Sequence, residues 1–237
     1  MEDKKIWRRH EISIADDLMS FKQGLIDDFM RGYSTLEEAT MSQGGECINP
    51  KLYKDEWLEG AKKQVVHKNP VTGQWESGLS HWRGQLIRMY TMPEAGAAPV
   101  NLEIDKEEAK NYPTMMKLLE KYSDKCYGLV YGIMGPQTIL HRHLAPENVE
   151  GLFVRIHIPL IIPKGDLFLE CHGEEVTWDD LFGFNNQYLH SAHNYTDEWR
   201  LVAIIDIDRE YAGLPKGQYY NEDGSENFKN FTRGWLD

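Results

Sequence analysis

The chain has 237 residues, with 26 Lys and Arg against 38 Asp and Glu, a formal net charge of -12, and 41% hydrophobic and 27% charged residues. These are the values of a soluble globular domain large enough to bury a real core. They exclude a sequence-independent grip on nucleic acid, which needs a basic surface to displace counterions, and docking on anionic membranes.

In chain order, MEDKKIWRRH at the start is charged and is followed by no apolar stretch, so it does not read as a secretory signal. Ile14, Leu18, Phe21, Leu25 and Phe29 recur at three- and four-residue steps, which predicts a helix over 14–33. Residues 34–80 are mixed, with turn signals at 44–45, 69–70 and 72–73. HWRGQLIRMY (81–90) reads as a strand and PEAGAAP (93–99) as a loop. Pro113 opens a helix over 113–123, at a first-turn position where its missing N–H costs little. Met115 and Met116 then fall in its core and at its rim. From residue 126 the chain changes character. YGLVYGIM (127–134), VRIHIPLII (154–162), DLFLEC (166–171) and WRLVAIIDID (199–208) are short, rich in Val, Ile and Leu, and bounded by Gly, Pro and Asn. They predict an antiparallel β core. His172-Gly173 reads as a hairpin turn, and His172 as structural. No apolar run approaches the ~20 residues of a membrane span. Cys47, Cys126 and Cys171 are widely spaced and odd in number, which suggests neither a disulfide framework nor a Cys-based zinc site and fits a reducing, cytoplasmic compartment. No linker divides the chain. We expect a single domain over 1–237: a helical or mixed part at 1–125, a β-barrel or sandwich at 126–208, and an irregular polar tail at 209–237. The class is mainly β with N-terminal helices (α+β).

The chemistry gathers in the β half. His141, His143, His157, His172, His190 and His193 lie there, with His81 just ahead. Clustered His in an acidic chain without useful Cys points to a metal, although any one of them alone is as well explained as a surface or hydrogen-bonded core residue. Side chains alternate faces along a strand. Arg155 and His157 therefore emerge together from one face of an apolar strand, with Val154, Ile156, Ile158 and Leu160 on the other. Arg200, Val202, Ile204 and Asp206 share a face of the last strand. Two such Arg residues form either a carboxylate clamp or a pair of solvated ion-pair partners.

The spans HLAPENVEGLFVRIHIPLIIP (143–163) and LHSAHNYTDEWRLVAIIDID (189–208) resemble the aspartyl/asparaginyl β-hydroxylases. These belong to the Fe(II)/2-oxoglutarate-dependent oxygenases and include bacterial hydroxylases of free amino acids such as the proline cis-4-hydroxylases. The resemblance covers roughly residues 113–208. It implies a double-stranded β-helix, a cupin-like jelly roll, with His143 and His190 as catalytic iron ligands. It also implies that Arg200 pairs with the distal carboxylate of 2-oxoglutarate, and that Arg155 and His157 contact the same cosubstrate. Fe(II), 2-oxoglutarate and O2 are the implied cofactors, and a small amino-acid-like molecule or a peptide the implied substrate. No nucleic-acid or membrane partner is expected, and the oligomeric state is open.

A second registration, His141-Arg142-His143 with His141 as first ligand, stays open. The twelve-residue step from His143 to Arg155 matches the family without a gap and favours His143. The third position from His143, where most such oxygenases carry an acidic ligand, is Ala145. Water fills that place in some members of the family. Chloride fills it in some halogenases of the wider superfamily, which makes 2-oxoglutarate-dependent halogenation the alternative chemistry. Glu147 is near enough in sequence to swing in. From another class, a non-catalytic cupin-like binding module would need the spaced His and Arg residues to be incidental. Trp82, Arg83, Arg88, Asn186 and His193 are candidate substrate contacts. Against this, the Arg residues suit a solvated edge strand, Asn185-Asn186 a turn, and His193 the surface.

Overall fold

The computed structural model describes residues 4–43, 110–122, 125–143, 151 and 153–215, with backbone alone for 40–43, 141–143 and six short strands between 46 and 104. All statements below concern these described residues.

Two helices form where one is expected, α1 (Ala15–Ser20) and α2 (Lys22–Phe29). The Ser20 hydroxyl donates to the Asp17 carbonyl at 2.6 Å, the acceptor that the Phe21 N–H would take in a continuous helix. The Phe21 N–H turns instead to the Leu18 carbonyl at 3.2 Å, which tightens the chain into a one-residue break. Leu18, Leu25 and Phe29 are still fully buried on one side. The helix α3 (Leu36–Gln43) is capped by Thr35, whose Oγ1 accepts from the Glu38 N–H. Pro113 opens α4 (Pro113–Tyr122), as the sequence suggests. The buried Asp28 carboxylate of α2 accepts from the Thr114 N–H and so supplies α4 with its N-terminal partner.

Fifteen strands follow the chain. They are β1 (Ile6–Arg8), β2 (Glu46–Cys47), β3 (Val66–Lys68), β4 (Trp75–Ser77), β5 (Ser80–Arg83), β6 (Ile87–Arg88), β7 (Glu103–Ile104) and β8 (Cys126–Met134). Then come β9 (Thr138–His143), β10 (Phe153–Ile161), β11 (Leu167–Cys171), β12 (Glu174–Thr177), β13 (Phe182–Phe184), β14 (His190–Asn194) and β15 (Arg200–Asp208). One sheet has the order β1-β13-β10-β15-β8-β5-β2 and the other β12-β11-β14-β9-β4-β3. Within them β13-β10-β15-β8 stands against β12-β11-β14-β9, and every described pair is antiparallel. Eight consecutive strands distributed in this way make a double-stranded β-helix, the jelly roll of cupin-like proteins.

The strand alternation read from the sequence sorts the core into two layers. Val154, Ile156, Ile158, Leu201, Ala203, Ile205 and Ile207 face outward and pack under Leu18, Leu25, Phe29, Met115, Leu118 and Leu119 of the helices. Val202 and Ile204 face inward and meet Leu140, Leu167, Leu169 and Ala192 across the sandwich. The candidate site lies in this inner layer. His172 and Gly173, at φ +49° and +86°, make the two-residue turn between β11 and β12, a left-handed pair suited to the twist of a hairpin. The single strand expected at 81–90 is two: β5 extends the first sheet, while β6 pairs with β7 elsewhere. In the tail, Arg209, Ala212 and Leu214 are buried, and the Ser13 N–H donates to the Ala212 carbonyl. Residues 216–237 lie outside the described part. No described helix is long and apolar enough to cross a membrane.

Candidate metal and carboxylate site

His190 opens β14 and is buried. Its Nδ1 lies 2.9 Å from the Tyr188 carbonyl oxygen. A carbonyl only accepts, so Nδ1 carries the proton and the lone pair is on Nε2, the nitrogen that would take a metal ion. Tyr188 is held in turn. Its N–H donates to the Asn185 carbonyl, and the Asn185 side chain accepts from the Gln187 N–H. Asn185-Asn186 thus build a turn, and the backbone carbonyl of Tyr188 orients the imidazole. Asn186 is fully buried within that turn.

Across the strand pair, the register partner of His190 is His143. The next paired residues are Ala192 and Leu140. Between these pairs, Ser191 stands alone against His141 and Arg142, so β9 bulges at this point and His141 has no register partner on β14. Bulges of this kind often re-aim side chains beside a site. The side chains of His141 and His143 are outside the described part, as are Ala145 and Glu147. Among the side chains that are described, no three His, Cys, Asp or Glu converge.

On the facing sheet, His157 and Arg200 come together through Trp178. The Trp178 indole N–H donates to His157 Nδ1 at 3.0 Å. An indole N–H cannot accept, so His157 holds its own proton on Nε2. Burial is the main reason its pKa lies well below the usual imidazole value, and the positive charges of Arg200 and Arg155 reinforce this, so the ring is neutral. The Arg200 guanidinium lies 4.5 Å from the Trp178 ring centre. It is buried, and its Nε and Nη1 have no hydrogen-bond partner among the described residues. Desolvation pushes its pKa down from 12.5 to about 9. A buried, unmatched guanidinium is costly. It is the donor set expected of a pocket made for a carboxylate. Phe184 joins the two halves, with its ring 5.3 Å from His157 and 5.0 Å from His190.

The other expected contacts are distributed differently. Arg155 grips Asp206, its register partner on β15, through Nε–Oδ1 at 2.8 Å and Nη2–Oδ2 at 2.7 Å. Arg155 is thus a largely buried ion-pair partner, whereas Nε and Nη1 of Arg200 have no partner among the described residues. His193 stands on the outer face of its sheet. It is stacked on Phe168 at 4.6 Å and within 3.0–3.1 Å of the Ser191 and Tyr195 hydroxyls, on the opposite face of β14 from His190. Trp82 and Arg83 lie on β5 beside β8, and Arg88 lies on β6 in the separate two-stranded sheet. Sequence reasoning missed Trp178, Tyr188 and Phe184. The signal for Trp178 was its two-residue step from Val176, which places both on the inner side.

A family model described as aspartyl/asparaginyl β-hydroxylase matches residues 51–210. Two curated relatives, the aspartyl/asparaginyl β-hydroxylases of Mus musculus and Homo sapiens, are each 28% identical over 109 residues. The match covers 44% of this chain and 14% of the length of either relative, so it spans a small part of those proteins. A crystal structure of an oxidoreductase of the 2OG-Fe(II) oxygenase family from Burkholderia pseudomallei is 12% identical, with a TM-score of 0.39, over 61% of this chain and 71% of that one.

Proposed function

This chain belongs to the aspartyl/asparaginyl β-hydroxylase family, and we propose that it is an Fe(II)- and 2-oxoglutarate-dependent oxygenase hydroxylating an unactivated C–H bond of a small amino-acid-like molecule or a peptide. The observation that carries this reading is Arg200, a buried guanidinium with two unmatched donor atoms beside a neutral imidazole. A dicarboxylate answers both groups, since guanidinium binds carboxylate in a bidentate, charge-assisted fashion.

His190, through Nε2, and His143, its register partner, would hold the metal. Bound Fe(II) would supply the oxidising power drawn from O2, with 2-oxoglutarate leaving as succinate and CO2. The chain's own part is positioning and exclusion of water. Arg200 anchors the distal carboxylate of the keto acid, and His157 adds an Nε2–H donor. Trp178, Phe182 and Phe184 keep the chamber dry. Arg155 fastens β10 to β15 through Asp206 and, as the family resemblance implies, is held as a further contact of the cosubstrate. Trp82 is held as a substrate contact, since its register partner Gly132 shares a face of β8 with Met134 of the inner layer, whereas Arg83 pairs with Tyr131 of the outer layer.

The test is anaerobic loading with Fe(II) and 2-oxoglutarate, then admission of O2 with chloride and a panel of amino acids and short peptides, with products read by mass. Succinate and a product heavier by one oxygen support the proposal. A chlorine-bearing product shows that Ala145 marks a halide site and replaces hydroxylation with halogenation. A chain that binds neither iron nor 2-oxoglutarate is a binding module.

A further inference from the structure

Trp178 follows β12 in a short segment fixed from several sides. The Thr177 hydroxyl donates to Asp179 at 2.6 Å, Asp180 accepts from the Leu181 N–H at 2.8 Å, and Arg9, from the N-terminal part of the chain, donates to Asp180 at 3.1 Å. The indole is only 1% exposed. It borders a cavity of about 480 Å³ lined by Lys22, Pro159, Lys164, Thr177 and Asp179, of which neither His157 nor Arg200 forms a wall. It also touches both groups assigned to the keto acid, donating to His157 Nδ1 and lying under the Arg200 guanidinium. The His157 and Trp178 rings are nearly parallel, 15° apart at 6.0 Å.

We infer that Trp178 is the positioning residue of the keto-acid pocket: its N–H fixes His157 as the Nε2–H tautomer, and its ring face holds the Arg200 guanidinium, so one side chain readies both donors for a single carboxylate ligand. The chemistry of each contact is separate. Neutral imidazole has one N–H, and the ring nitrogen that accepts from Trp178 decides which nitrogen keeps it. A ring face attracts a guanidinium but leaves all five of its N–H groups in its plane, available to an anion. Any hydrogen-bonding residue in place of the ring would engage the fork that the ligand needs. The inference rests on the proposed reading of the pocket as a 2-oxoglutarate site.

The experiment uses the full chain and three variants: Trp178→Phe, Trp178→Leu and His157→Gln. Trp178→Phe keeps a ring face and removes the N–H, whereas Trp178→Leu removes both. Two quantities are read, the tautomer of His157 from the ring-nitrogen NMR shifts of the metal-free protein, assigned by the signals missing in His157→Gln, and the affinity of the Mn(II)-loaded protein for 2-oxoglutarate by calorimetry. The wild type should show Nε2–H only. Trp178→Phe should show a tautomer mixture and bind 2-oxoglutarate roughly fivefold more weakly, the worth of one ordinary hydrogen bond. Trp178→Leu should lose roughly a further tenfold with the ring face. Unchanged tautomer and unchanged affinity in Trp178→Phe, with the fold intact by circular dichroism, would overturn the role of Trp178 alone. Should the wild type fail to bind 2-oxoglutarate, the keto-acid reading falls and takes this role with it, even with the Nε2–H tautomer in place.

Discussion

Replacing Arg200 by Met should make the ligand-free protein more stable while destroying its response to 2-oxoglutarate. Met keeps the apolar stem and removes the charge. Burial lowers the guanidinium pKa from 12.5 to about 9 in the folded chain. At about 1.4 kcal/mol for each pH unit, the charged form carries a penalty of about 5 kcal/mol in the fold. Contact with the Trp178 face offsets about 2 kcal/mol of this. A net gain of about 3 kcal/mol is then expected for the variant, or roughly 6–12 °C in Tm for a domain of this size. The sign with pH follows from the lowered folded value. The penalty is complete wherever both states are protonated, below about pH 9, and fades as pH rises from there toward 12.5. The advantage of Arg200→Met should therefore be full at pH 7 and smaller at pH 10. Thermal unfolding with and without 2-oxoglutarate, in Mn(II), measures both effects. At a hundred times its Kd the keto acid should stabilise the wild type by about 2.7 kcal/mol and the variant not at all. A variant less stable than the wild type without ligand, or one stabilised equally by 2-oxoglutarate, would refute the idea that Arg200 is held ready for an anion.

Further outcomes are expected elsewhere. His143→Ala and His190→Ala should each lose bound iron by elemental analysis while keeping the fold, because the core is apolar without the metal; loss on His141→Ala with retention on His143→Ala would move the first ligand to His141. Asp206→Ala should cost about 2–3 kcal/mol in urea unfolding, since it removes two charge-assisted hydrogen bonds from the Arg155 guanidinium. The double variant Arg155→Met, Asp206→Leu should recover most of that loss, and a purely additive cycle would argue against the pair. Burial pushes the thiols of Cys126 and Cys171 up to about 12. At pH 8, iodoacetamide should leave both unmodified until the protein is unfolded, as read by peptide mapping.

The long central strands were legible because they are continuous apolar runs with a period-two face assignment. The split between Val154, Ile156 and Ile158 on one side and Arg155 and His157 on the other follows from alternation alone. Strands β1, β9, β12, β13 and β14 were not picked out. IWR and FGF are three residues long, EEVT is mostly polar, and HSAHN and TILHRH mix polar with apolar residues because they border or line a polar chamber. The break at Phe21 escaped periodicity because the apolar residues keep their helical spacing across it, and the cause is one hydroxyl. In the site, residue types and spacing singled out the His and Arg residues, but not their division of labour. Arg155 and Arg200 look alike in sequence. Only the register that sets Asp206 opposite Arg155 separates a matched cation from an unmatched one.

The short strand β1 ties the order of folding to the site. It pairs Ile6 with Phe184, and the adjacent Lys5 carbonyl accepts from Asn185, at the head of the turn that orients His190. The first residues of the chain must therefore wait for almost all the rest before they find their partners. Contacts of such sequence separation carry a large loop-closure cost and form slowly. During synthesis β13 and its turn emerge long after β1, so the seam that flanks His190 closes among the last events of maturation. Refolding followed by hydrogen exchange should then show the amides of β1 and the 185–188 turn gaining protection together, after the β10–β15–β8 core.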